Sequence, residues 1–193
     1  VREIAQEFDY EVIRFFMLSA QYRSPVNFSK ELMEQAKNAL DRLYNCLVSL
    51  NFMAENSHIE EATEEEKTLF QPIAAMEHDF QAAMEDDLNT ANAIAVLFDM
   101  VKAINTAFHE NEVHSKDILS QCGALLKKLG GVLGILTKNI SSSPDAEIEK
   151  IIEERQTARK NKDWAKADAL RDQLAAMGII LEDTPLGVKW KRK

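Results

Sequence analysis

The sequence predicts a mainly α fold: an antiparallel bundle of roughly five helices, followed by a small α+β module of two helices and a β-hairpin. Three observations carry that expectation. Gly and Pro are scarce, at six and four of 193 residues. Apolar residues recur at helical spacing through the first two thirds of the chain, with no strand alternation there. Charge is split: residues 1–144 hold 12 Lys+Arg against 22 Asp+Glu, whereas residues 145–193 hold 11 against 10. The step falls at Ser141-Ser142-Ser143-Pro144, which reads as a linker (141–144) between a 1–140 bundle and a 145–193 module.

Each element follows from local signals. Residues 9–20 carry a crowded apolar face of Val12, Ile13, Phe15, Phe16 and Met17. Tyr22-Arg23-Ser24-Pro25 ends that helix, because the residue before a proline is pushed out of helical conformation. Ser29 is placed to cap a long second helix with the stripe Leu32, Ala36, Leu40, Leu43, Leu47 and Leu50. Thr63-Glu64-Glu65-Glu66 has the capping-box pattern and opens a third helix with Leu69, Ile73, Met76, Phe80 and Met84 on one face. Pro72 within it predicts a kink or a restart. Asp86-Asp87-Leu88-Asn89-Thr90 recaps the chain for a helix burying Ala91, Ile94, Phe98, Val101, Ile104 and Phe108. Ser115 starts the last bundle helix, with Ile118, Leu119, Cys122, Leu125, Leu126 and Leu129, loosening at Gly130-Gly131.

In the module, residues 145–161 form a charged helix carrying Ile148, Ile151 and Ile152. Asp163 caps a second helix through residue 177, and Gly178 is a left-handed terminator. Residues 179–183 and 188–191 read as strands around the turn Thr184-Pro185-Leu186-Gly187.

Composition excludes several classes of function. A net charge of −9 argues against a general DNA-coating protein, although it leaves room for a locally basic face. Two cysteines, Cys46 and Cys122, are too few for a disulfide framework, favour a reducing compartment, and lie on apolar stripes as small core residues. No apolar run approaches ~18 residues, so neither a membrane span nor a secretion signal is expected. The chain opens on Val1-Arg2-Glu3 without an initiator Met and reads as a piece of a longer protein. His109 and His114 are five apart, ~140° around a helix, and cannot share a metal from one face. Glu55-Asn56-Ser57-His58 has di-iron spacing but sits in a polar stretch. No glycine-rich phosphate loop, Gly-x-Ser-x-Gly or Cys/His pairing is present, so no active site is visible.

The C-terminal segment is more specific. Ala158-Arg159-Lys160-Asn161-Lys162-Asp163-Trp164-Ala165-Lys166-Ala167-Asp168-Ala169-Leu170-Arg171-Asp172, then Gly178-Ile179-Ile180-Leu181-Glu182-Asp183-Thr184 and Trp190-Lys191-Arg192, closely resemble the C-terminal end of cysteinyl-tRNA synthetases. Glu11-Val12-Ile13-Arg14-Phe15-Phe16, Tyr22-Arg23-Ser24-Pro25-Val26-Asn27-Phe28-Ser29 and Asp86-Asp87-Leu88-Asn89-Thr90-Ala91 extend the resemblance over nearly the whole chain. It implies a cytoplasmic, monomeric class I aminoacyl-tRNA synthetase whose catalytic domain uses ATP and a thiol-selecting zinc to join cysteine to tRNA(Cys). The signature motifs of that domain are not in this sequence, so the chain alone is expected to bind tRNA(Cys) without aminoacylating it.

The resemblance places anticodon (GCA) contacts on Arg159, Trp164, Asp168 and Asp183. Chemistry suits these roles: a carboxylate fork matches the two adjacent N–H donors of a guanine Watson–Crick edge. Trp164, one helical turn before Asp168, can stack on an unpaired base for ~1–3 kcal/mol, and the Arg159 fork fits a base edge or phosphate. Lys160, Lys162, Lys166, Lys189, Lys191, Arg192 and Lys193 add backbone attraction, and Arg23 is the bundle residue expected to meet RNA or the catalytic domain. Plainer roles stand beside these. Asp168 can pair with Arg171 on the helix surface, Trp190 can pin the hairpin to its helices, and Asp183 can begin the turn. Asp86, Asp87 and Asn89 can cap helices or pair with Arg14 or Arg23. The competing function is a helical protein-interaction or regulatory module derived from a synthetase tail, which the acidic bundle favours.

Overall fold

The computed structural model describes residues 3–109, 112–138, 146–184 and 187–192; the side chains of 146, 147, 149, 182–184, 187, 189, 191 and 192 lie outside that description. So do residues 141–144, expected as the linker, together with Pro185, Leu186 and Lys193. Backbone proximity divides the chain into two units, Val1–Asn139 and Ile140–Lys193, each described by itself.

The first unit holds a 3-10 turn (Ile4–Gln6) and five helices: α1 Tyr10–Leu18, α2 Lys30–Asn56, α3 Glu64–Glu85, α4 Thr90–Ala107 and α5 Lys116–Val132. Every one of those helices starts at a small polar residue whose side chain accepts a first-turn N–H: Asp9, Ser29, Thr63, Asn89 and Ser115. Each such cap is worth ~1 kcal/mol. Helix α2 packs on α1, α4 and α5, while α3 packs on α4 and α5. The side chains that meet there, among them Leu43, Leu47, Leu97, Met100, Ile118 and Leu126, are fully buried.

Three residues expected on the apolar faces are instead exposed: Met17, Leu32 and Leu69, at 57%, 38% and 42%. In α2 the buried stripe runs Met33, Ala36, Leu40, Leu43, Leu47, Leu50, so steps of three and four begin one residue later than Leu32. In α1 the core contact is the narrow set Val12, Phe15 and Phe16, and Met17 turns ~100° away from it. The first turn of α3 buries Glu66 rather than Leu69. In α4, Leu97 and Met100 lie deeper than Phe98. Nor does α3 restart at Pro72: the helix runs unbroken through it. Pro72 and Thr68 are both on the exposed face, so the Thr68 carbonyl that loses its donor faces solvent, where water can serve it.

Glu66 joins two distant segments. Its Oε2 accepts from the Thr63 N–H at 2.9 Å, completing the capping box, and its Oε1 accepts from the Ser115 N–H at 2.9 Å. Around this contact Ser57 Oγ donates to the His114 carbonyl at 2.6 Å, and the N–H groups of Lys116 and Asp117 donate to the carbonyls of Ile59 and Glu60. Burial pushes the Glu66 carboxyl up, but the bonds from Ser115 and Thr63 outweigh it and hold the group below its ordinary value.

The second unit packs α6 (Ala146–Lys160) and α7 (Trp164–Ala176) against an antiparallel hairpin, β1 Ile179–Thr184 and β2 Gly187–Arg192. Ile148, Ile151, Ile152, Leu174 and Ile179 form its core, with Leu170, Leu181, Val188 and Trp190 half-buried around them. Gly178, at φ +75°, closes α7 and turns the chain into β1, a conformation that a side chain would strain.

The corner between α6 and α7 is short and fully committed. The N–H groups of Asn161, Lys162 and Asp163 donate to the carbonyls of Thr157 (3.0 Å), Arg159 (3.0 Å) and Ala158 (2.9 Å). The last two bonds are the crossed pair of a Schellman closure. Its left-handed position is taken by Lys162 at φ +58°, where glycine is the unstrained choice; a side chain there costs ~1–2 kcal/mol. Asp163 then opens α7, its Oδ1 accepting from the Lys166 N–H at 3.2 Å.

Candidate nucleic-acid interface

Helix α7 has two distinct faces. Ala167 and Leu174, seven residues apart, are buried, with Leu170 half-buried between them. Trp164, Asp168 and Arg171 are exposed, Trp164 at 60%. A tryptophan left open at the first residue of a helix, while Trp190 packs on the core, separates the two expected roles: Trp190 pins the hairpin and Trp164 does not. The Asp168 carboxylate makes no ion pair among the described residues, so the expected surface pairing with Arg171 is not formed.

Across the corner, Arg159 and Lys160 end α6 on its exposed side, and Lys162 is exposed at the turn itself. Arg159, Trp164 and Asp168 therefore flank one corner, with Lys160, Lys162 and Lys166 within four positions of Trp164. Asp183 sits in β1 opposite Val188, within the strand rather than at the start of the turn. Its side chain, like those of Lys189, Lys191 and Arg192, lies outside the described residues.

In the first unit, Arg23 is held by its neighbours. Its Nη2 lies 3.1 Å from Asp87 Oδ2, its Nε donates to the Tyr22 hydroxyl at 2.9 Å, and that hydroxyl donates to Asp87 Oδ1 at 3.0 Å. This is the Asp–Arg pairing weighed from sequence, and exposed as it is, it contributes ~0–1 kcal/mol. Arg14 instead donates to the Gly134 carbonyl at 2.6 Å. A groove of about 590 Å³ between α2 and α4 has Arg42, Lys102 and His109 as its only ionisable lining apart from the Cys46 thiol. The acidic unit thus carries a locally cationic surface.

Sequence reasoning missed the left-handed Lys162, for which Asn161-Lys162-Asp163 without glycine gives no signal. It also missed the buried Glu66–Ser115 contact, which depends on packing between distant segments. His114 is buried against Phe108, with Nδ1 3.6 Å from Glu66 Oε1, as part of that contact. Among the described residues no three His, Cys, Asp or Glu side chains are grouped to hold a metal ion. No described helix is long and apolar enough to cross a membrane.

The chain is thus a helical bundle followed by a small α+β unit whose inter-helix corner exposes Arg159, Lys162, Trp164 and Asp168. Comparison with known families agrees in chain order: residues 79–137 match the DALR domain, and residues 143–190 match the cysteinyl-tRNA ligase anticodon binding domain. The two matches, in this order over residues 79–190, support a fragment similar to the C-terminal part of cysteinyl-tRNA synthetases.

Proposed function

We propose that the chain recognises the GCA anticodon of tRNA(Cys), as part of a cytoplasmic, monomeric cysteine–tRNA ligase whose ATP- and zinc-using catalytic domain performs the ligation. The single observation carrying this reading is the coincidence of the anticodon-domain match at 143–190 with the open corner bearing Arg159, Trp164 and Asp168.

The chemistry is that of a single-stranded loop whose bases have been unstacked. The Trp164 indole offers one such base a stacking surface. The Asp168 carboxylate, one turn further on, accepts from the adjacent N1–H and N2–H of guanine. Adenine presents an acceptor where one of those donors is needed, so the same carboxylate disfavours it. Arg159 holds a second base edge or a phosphate through two parallel N–H groups. Asp183 supplies a further carboxylate from β1, and Lys160, Lys162, Lys189, Lys191 and Arg192 neutralise the RNA backbone. The −10 balance of residues 1–144 favours a second reading, a protein-interaction module that does not bind RNA.

Fluorescence anisotropy with an anticodon stem-loop bearing GCA, against one with its first base changed to A, separates the two. Preference for GCA that persists as salt rises, and that Asp168→Ala removes, is the expected result. Equal weakening of both stem-loops by Asp168→Ala refutes its readout role, and no binding to either favours the protein-interaction reading.

A further inference from the structure

We infer that Asp163 is a positioning residue for anticodon readout, acting through Trp164; this rests on the anticodon reading above. Trp164 is the first residue of α7 and its indole is exposed, so packing on the core does not orient it. What fixes it is the peptide before it. Asp163 closes α6 through its N–H to the Ala158 carbonyl at 2.9 Å and opens α7 through its carboxylate to the Lys166 N–H at 3.2 Å. One residue therefore sets where the last turn of α6, carrying Arg159, stops and where the first turn of α7, carrying Trp164, begins.

The strain at Lys162 is a second, independent sign that this corner is held in one geometry. A non-glycine residue at φ +58° persists only where its surroundings over-determine it, and no contact of the Lys162 side chain among the described residues offsets that strain. Without the Asp163 carboxylate, the first turn of α7 loses its only side-chain acceptor among the described residues and frays. Trp164 is the residue that turn carries at its tip. Its indole would then sample several directions, and the stacking contribution to GCA recognition would be diluted.

The test measures, with the full 193-residue chain, the ratio of affinities for the GCA stem-loop and for one that lacks its first anticodon base, because an indole favours any stacked base over none. Asp163→Ala is expected to lower that ratio about three- to tenfold, the scale of partial loss of one base stack. Asp163→Asn and Asp163→Ser, which keep a capping oxygen, are expected to retain it. In a Trp164→Ala background, Asp163→Ala should lower the ratio no further, which a general loosening of the unit would not reproduce. Far-UV circular dichroism and the emission of Trp190 establish that each variant is folded. An unchanged ratio in Asp163→Ala, an equal loss in the Asn and Ser variants, or losses that multiply in the double variant would each overturn the inference. A parent chain without GCA preference would overturn the anticodon reading first, and the positioning role with it.

Discussion

Replacing Glu66 by alanine should destabilise the bundle by about 1.5–4 kcal/mol. The Ser115 N–H that Glu66 serves belongs to a fully buried residue, and leaving it without an acceptor costs ~1–3 kcal/mol. The Thr63 N–H is on an exposed residue that water can reach, so losing that half of the capping box adds only ~0.5–1 kcal/mol. Glu66→Gln keeps one oxygen but must turn its NH₂ toward either Ser115 or Thr63, donor against donor, for ~1–3 kcal/mol. Urea unfolding followed by circular dichroism at 222 nm, to which α1–α5 contribute most of the helix, reads both variants. The pH dependence gives an independent check. The folded carboxyl lies below its ordinary value of 4.5, so its contribution is complete above that value and lost as pH falls through the folded pKa. The gap between parent and Glu66→Gln should narrow from about pH 5 downward. An alanine variant within about 0.5 kcal/mol of the parent at pH 7 would refute the reasoning, since surface changes of no consequence fall in that range.

Other consequences are open to direct measurement. Gly130→Ala places a Cβ 2.8 Å from Leu136 Cδ1 and should destabilise by ~1–3 kcal/mol, whereas Gly131→Ala meets nothing within 4 Å and should stabilise α5 by ~0.5–1 kcal/mol. Thermal melts of the two variants should therefore move in opposite directions. Lys162→Gly relieves the left-handed strain and should raise the stability of the second unit by up to ~1 kcal/mol, read by tryptophan emission because Trp164 and Trp190 both lie in that unit. A lower midpoint would mean that the Lys162 side chain makes a stabilising contact. Burial, then the neighbouring Cys46, pushes the Cys122 thiol up to about 12, so Cys122 should react with a thiol reagent only once denaturant is added.

What could be read in advance was mostly local chemistry. Ser29, Thr63, Asn89 and Ser115 mark helix starts because an N-cap needs only a short side chain and the three residues after it. Gly178 marks an end for the same reason. Helix phase was less legible: Met33 and Leu32 are both apolar, and only the packed neighbours decide which one faces inward. Glu11 is buried with its carboxylate accepting from the Tyr44 hydroxyl at 2.8 Å, which no pattern of charges in α1 announces. In the candidate interface, the shared face of Trp164 and Asp168 follows from helical spacing alone. The corner that aims that face does not, because Asn161-Lys162-Asp163 looks like any polar interruption.

That corner has no slack. All three of its peptide N–H groups are committed to α6 carbonyls, and its last side chain is committed to α7. One residue inserted between Lys160 and Trp164 would break both closures together. It would also shift the phase of α7 by ~100° relative to α6, while Ala167 and Leu174 remain bound to the core side. The chain would have to give up either its core contact or the direction of its exposed face. Segment length therefore acts here as a structural parameter in its own right: three residues between two helices phase the open face of one against the end of the other.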